Sequence, residues 1–395
     1  MNDILSLIGR DSDLFKKDID LNRSDLTEII SKSSFLIIGG AGSIGQALTY
    51  EVLSRNPKLI HIVDINENNL VELVRGFRSS IGKIDGEFKT FAIDCGSILF
   101  KSFMDAHSSY DYILNLSALK HVRSEKDPFT LMRMVDVNIL NPINILADIK
   151  PNTLKKFFCV SSDKATNPVS MMGASKRIME LFLLRESANH SMSTARFANV
   201  AFSDGSLLHG FTNRLQKKQP ISAPKDILRY FITPKESGEL CLMSSIFGKN
   251  RDIFFPKLSD SLHLISFSDI AKKFLIHNGY EPFECESEEQ ARNESKSLIS
   301  NKKWPCYFFN SDTSGEKDFE EFYVEGDKLE MNRFEGIGIL NQPNNNKIDL
   351  RNFINEVSKL KNSGHWSKSE LVKLFNEIIP EFAHLETGKN LDQKM

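Results

Sequence analysis

Residues 34–48 read SFLIIGGAGSIGQAL. The bulky apolar run at the start suits a strand buried on both faces. Gly39, Gly42 and Gly45 follow at G-x-x-G-x-x-G spacing, and helical periodicity begins at Ser43 and Ile44. Strand, glycine turn and helix in that order let backbone N–H groups face a pyrophosphate at a helix N-terminus. The next apolar run, LIHIVD (59–64), ends in Asp64, nineteen residues after Gly45. A carboxylate there would accept hydrogen bonds from an adenosine ribose. The INEN that follows holds no lysine or arginine for a 2'-phosphate. NAD is therefore expected in preference to NADP.

Working outward, further apolar runs lie at FKTFAID (88–94), YDYILNLS (110–117), KKFFCVSS (155–162) and STARFANV (193–200), separated by helix-length segments of 3.6-residue periodicity. That alternation predicts an α/β fold with a Rossmann-type doubly wound parallel sheet. We expect an N-terminal helical segment over 1–32, a dinucleotide-binding domain over 33–200, a smaller substrate-binding lobe with some return to the sheet over 201–340, and a helical C-terminal tail over 341–395. The polar stretch 284–303 reads as a solvated helix or mobile insertion, and NQPNNNK (341–347) as a linker.

Composition removes several classes of function. Fifty basic and 52 acidic side chains give a net charge of -2 over 395 residues, so no global field draws the chain to nucleic acid or an anionic membrane. Five scattered cysteines without a C-x-x-C pair argue against a disulfide framework and a metal site, and suit a reducing cytoplasm. No run approaches the roughly 20 apolar residues of a membrane helix.

The second motif is SSDKATNPVSMMGASK, residues 161–176. It follows a buried-strand run, which puts Ser162, Asp163 and Lys164 at the carboxyl edge of the sheet, where open α/β sheets bind ligands. Met172 and Lys176 are one helical turn apart on one face. A lysine at that spacing usually follows a tyrosine in nicotinamide enzymes, and here the tyrosine is absent.

These motifs, with NLSALKHV (115–122), VDVNILNPINIL (135–146), RFANVAFSDGS (196–206) and LRYFIT (228–233), resemble the extended short-chain dehydrogenase/reductases. Within them the chain is similar to the nucleotide-sugar 4,6-dehydratases of bacterial polysaccharide biosynthesis, chiefly the UDP-N-acetylglucosamine 4,6-dehydratase group. The resemblance covers residue 36 to about 325. It implies NAD contacts at Gly39, Gly42, Ser43, Ile44, Gly45, Asp64, Asp94, Cys95, Ser117, Ala118, Lys120 and Lys176. It implies UDP-sugar contacts at Lys120, Asn199, Ser206, Arg229 and Glu316. Ser162, Asp163, Lys164, Met172 and Lys176 are then the catalytic set, and methionine at position 172 marks one branch of these enzymes. A homo-oligomer, dimer or higher, is expected. Three departures stand out: Ile38 for a threonine, Pro142 within a helix, and Thr313 where an arginine is usual.

The implied reaction removes water across C5 and C6 of a hexose after transient oxidation at C4, and is redox-neutral. It needs a group to accept the O4 proton, a base at C5 and an acid for the departing hydroxide. Lys164 and Asp163 are the candidates for base and acid, with roles that could be exchanged. The O4 proton would leave through Ser162 with Lys176, or through Asp163. The alternatives are an NAD-dependent nucleotide-sugar C4-epimerase, which has no use for an acid–base pair aimed at C5 and C6, and a non-catalytic NAD-sensing module.

Overall fold

A computed structural model describes residues 2–107, 109–258, 262–312, 317, 321–343 and 350–384. Its centre is a nine-stranded sheet. Six parallel strands come from the first half of the chain: β1 (Ser34–Ile38), β2 (Leu59–Asp64), β3 (Glu87–Ala92), β4 (Tyr112–Asn115), β5 (Lys156–Val160) and β6 (Met192–Ala195). β7 (Asp252–Pro256) joins them in parallel, and the antiparallel strands β8 (Leu329–Glu330) and β9 (Ile337–Asn341) close the edge. The order is β3-β2-β1-β4-β5-β6-β7-β9-β8. Every residue of β1 and β5 is buried, because helices cover both faces of the sheet.

The order reverses between β1 and β4, which pair Ile38 with Asn115 at their carboxyl ends. Chain leaving those two strands must diverge to opposite faces, and a crevice opens there.

Two local expectations change. STARFANV does not form one strand: β6 stops at Ala195, and Asn199–Val200 pairs instead with Phe231–Ile232. Arg196 interrupts the apolar run and turns into a buried polar network, so the chain leaves the sheet. Beyond residue 200 the strand–helix alternation fades in the sequence, yet the structure there is regular. Strands Ile221–Pro224, Lys303–Phe309 and Glu281–Glu284 form a small parallel sheet, and the polar stretch contains the helix Glu288–Ser300.

Three helices, Asn2–Leu7, Lys16–Leu21 and Arg23–Ser31, precede β1. Arg10 donates to Glu236 at 2.8 Å in a buried pair, tying this segment to the helix Pro234–Phe247. The helix before β5 is interrupted: Pro128–Val135 runs into a π-turn at Asp136–Leu140 before Asn141–Ala147 begins. Pro142 has no N–H for the carbonyl four residues back, which is one reason the regular ladder fails here.

The last described elements are α1 (Leu350–Ser363) and α2 (Lys368–Ile378). Their apolar faces share one core with helices Pro128–Val135 and Met171–Glu186, including Leu131, Phe182, Phe353 and Phe375. Of the stretch read as a linker, 341–347, residues 344–347 lie outside the described residues.

Candidate functional site

The glycine loop leaves β1 at the crevice. A Cβ on Gly45 would lie 2.0 Å from the Gly39 carbonyl oxygen, so only hydrogen lets the helix Ser43–Leu53 start this close to the turn. Asp64 ends β2 beside the loop, and both of its oxygens are held by main chain. Ala41 N–H donates to Oδ2 at 3.0 Å, and Asn66 N–H to Oδ1 at 2.9 Å. The carboxylate is fixed without losing its remaining acceptor capacity, as a ribose-binding group requires.

Asp94 pairs with Arg133 at 3.0 Å, and the Cys95 thiol, pushed up by burial, lies 3.8 Å from the Ser117 hydroxyl. The β4 loop carrying Ser117, Ala118 and Lys120 is clamped by buried Asn138. Its amide accepts from Leu119 N–H and donates to Leu119 O and to Ser175 Oγ, each at 2.9 Å. Lys120 Nζ lies 3.4 Å from Ser203 Oγ, and the adjacent Asp204 N–H donates to Ser43 Oγ at 2.9 Å. The segment after Asn199 therefore closes directly onto the glycine loop.

Ser162, Asp163 and Lys164 occupy the carboxyl end of β5. Asp163 Oδ1 accepts from Ser162 Oγ at 2.8 Å, from Lys164 N–H at 2.9 Å and from Lys164 Nζ at 3.2 Å. Lys164 Nζ is also 3.4 Å from Asn199 Oδ1. The start of helix Met171–Glu186 packs against this turn so closely that a Cβ on Gly173 would meet the Lys164 carbonyl oxygen at 2.2 Å.

Lys176 is buried and donates to the Val160 carbonyl at 3.0 Å. Burial lowers its pKa, against the opposing pull of Cys159 and Glu180. Met172 is also buried, and its side chain belongs to the core shared with α1 and α2. Arg229 is buried on a short strand paired with Ile265–Ser266 and donates to Leu228 O at 2.8 Å. Ser206 caps the helix Leu207–Gln216. Thr313 and Glu316 lie outside the described residues. Lys317 donates to Thr166 O at 2.8 Å, which brings Lys317 itself to the loop after Lys164.

The structure thus joins Ser162, Asp163, Lys164 and Asn199 in one bonded cluster, and Ser43, Asp204, Lys120 and Ser203 in another. It leaves Met172 out of both.

The polysaccharide biosynthesis protein family matches residues 35–341. The chain belongs to this family. Within reach of the family's members, it is 26% identical over 90% of its length to an uncharacterized membrane protein of Methanocaldococcus jannaschii, 98% of which is covered. It is 25% identical over 70% of its length to the capsular polysaccharide biosynthesis protein CapD of Staphylococcus aureus, and spans 45% of that longer protein. Among solved structures, Pen from Bacillus thuringiensis superposes with a TM-score of 0.64 at 22% identity, over 80% of this chain and 89% of Pen. A UDP-glucuronic acid 4-epimerase from Bacillus cereus, in complex with UDP-glucuronic acid and NAD, gives a TM-score of 0.53 at 17% identity, over 74% and 90% of the two chains. The fold is shared. Among the described residues no helix is long and apolar enough to cross a membrane.

The family match ends at residue 341, before α1. Four buried polar residues that support the site were not singled out from sequence. Asn138 holds the β4 loop. Glu180 accepts from Ser161 Oγ at 2.7 Å and takes both Nε and Nη2 of Arg196, at 2.9 and 2.7 Å. Arg196 in turn reaches Thr166 Oγ1 at 3.0 Å. Glu125 accepts from Met172 N–H at 3.3 Å. Asn138 and Arg196 fall inside quoted motifs, which was the available signal; Glu125 and Glu180 look in sequence like ordinary surface carboxylates.

Proposed function

We propose that the chain is an NAD-dependent nucleotide-sugar 4,6-dehydratase that converts UDP-N-acetylglucosamine to its 4-keto-6-deoxy derivative, for surface polysaccharide or glycan biosynthesis. The observation carrying this reading is the cluster of Asp163, Lys164 and Asn199, an acid–base pair with a fixed amide at the carboxyl edge of β5. Family membership supports the biosynthetic setting.

The glycine loop and Asp64 fit NAD: the loop leaves no room for a Cβ at Gly45, and the carboxylate is held in place beside it. Ser117, Lys120 and Lys176 complete the holding set. NAD bound there would supply hydride acceptance from C4 of the sugar and its return to C6 once water has left. The chain's own groups move the protons. Lys164, held between Asp163 and Asn199, takes the proton from C5, which is acidic while C4 is a ketone. Asp163 passes a proton to the departing C6 hydroxyl, and Ser162, bonded to the same carboxylate oxygen, gives the O4 proton a route into the cluster. Asn199 orients Lys164, and Arg229 is the candidate for the diphosphate.

Incubation of purified protein with UDP-N-acetylglucosamine and NAD, followed by mass spectrometry, tests the proposal. Loss of one water from the nucleotide sugar is expected. Unchanged mass with a new isomer would establish the C4-epimerase, and an unaltered sugar would reject both.

A further inference from the structure

The segment up to His384 packs against the start of the helix that bears Lys176. His384 Nε2 lies 3.1 Å from Glu125 Oε2, while the other oxygen of Glu125 accepts the N–H of Met172 at 3.3 Å. Glu125 is buried and the His384 side chain is only 9% exposed, so water competes weakly for these bonds. The His384 ring also sits 5.6 Å from that of Phe382.

Two further bonds hold the segment in place: Trp366 Nε1 donates to Pro128 O at 2.8 Å, and Lys361 pairs with Asp136 at 2.7 Å. The apolar faces of α1 and α2 cover the helix that bears Lys176, and Met172 is part of the core they complete. The strap's side of each contact lies beyond residue 341, where the family match stops, and the other side lies within the match.

We propose that residues 350–384 form a strap belonging to the site, and that His384 is a positioning residue. Acting through Glu125, it fixes the main chain at Met172, and with it the first turn of the helix that presents Lys176. This gives the methionine a role without chemistry: its buried side chain belongs to the apolar core that the strap completes. The inference is independent of which sugar reaction the site performs.

Two variants of the full chain separate the hydrogen bond from ring packing. His384→Phe keeps a ring beside Phe382 and loses the nitrogen; His384→Gln loses the ring and keeps an amide able to reach Glu125. The first readout is hydrogen exchange of the Met172 amide in peptides spanning 165–180, which needs no substrate. His384→Phe is expected to speed exchange about tenfold, the factor set by one bond of ~1.4 kcal/mol, with His384→Gln near wild type. The second readout is functional: NAD affinity and kcat both fall in the Phe variant, as expected when Lys176 is displaced, and both recover in the Gln variant. Equal exchange in both variants, or greater damage from Gln than from Phe, would show that His384 only packs, and would overturn the proposal. Failed turnover in wild type with the exchange pattern intact would count against the proposed reaction alone.

Discussion

Lys164 and Asn199 meet at the mouth of the crevice, Nζ to Oδ1 at 3.4 Å, although 35 positions separate them in the chain. The contact exists because the chain leaves the sheet after Ala195 and turns Asn199 back toward β5. Asp163 and Asn199 help to fix the position of the amine, and the carboxylate is a partner for its proton.

Replacing Lys164 by Met keeps the length of the side chain and removes the amine. Net dehydration is expected to fall by about 10²–10⁴-fold, the usual contribution of a positioned acid or base. Hydride abstraction should persist, seen as reduced-nicotinamide absorbance on adding substrate. Normal turnover in this variant would remove Lys164 from the mechanism.

Asp64 determines the cofactor prediction. Its two oxygens accept from Ala41 and Asn66, so Asp64→Asn removes the charge and keeps one of the two acceptors, the amide NH2 being unable to accept from the other main-chain donor. Wild type is expected to bind NAD and to reject NADP. The variant should shift the preference toward NADP by about tenfold, or ~1.4 kcal/mol, as read by titration calorimetry with both nucleotides. Tighter binding of NADP by wild type would defeat the argument from the carboxylate.

How much of this was legible in sequence follows the range of the interactions. The glycine loop, Asp64 and the 161–176 stretch are local patterns, readable because a tight turn and a strand end constrain residues close together. β7 was not separately legible: RDIFFP is one short apolar run inside the second lobe, and nothing local says that it crosses back beside β6. The break after Ala195 depends on Arg196 finding Glu180 and Thr166, partners visible only once packed. The same holds for Met172, whose environment is made by helices nearly two hundred residues later.

The Glu180–Arg196 pair supports the turn that carries the cluster, and its electrostatics predict a pH dependence. Burial alone would push the Glu180 carboxyl up; Arg196 beside it outweighs that and holds it down to about 2, from an ordinary 4.5. A carboxyl depressed on folding adds stability that is full above its unfolded pKa and is lost as pH falls through the folded one. Glu180→Gln leaves Arg196 buried without its counter-charge, which costs about 3–5 kcal/mol at neutral pH. The gap between wild type and variant in urea unfolding should therefore shrink between pH 4.5 and about 2. A gap independent of pH would mean that the pair contributes through shape alone.

Met172 and Lys176 share a helix face, yet their loss should have opposite consequences. Met172→Leu conserves apolar volume in the core with Phe353 and Phe375, so it is expected to cost under ~1.5 kcal/mol of stability and little turnover. Lys176→Met is also close in length, but it removes an amine whose charged form burial disfavours. The fold should therefore be as stable or more so, as measured by the thermal midpoint. NAD affinity and turnover should both fall, because the group expected to hold the nicotinamide ribose is gone. A loss of stability without loss of NAD binding would make Lys176 a packing residue, bonded to the Val160 carbonyl for the sake of the core. Damage from Met172→Leu equal to that from Lys176→Met would show that the thioether acts on the reaction, against its placement beneath the C-terminal helices.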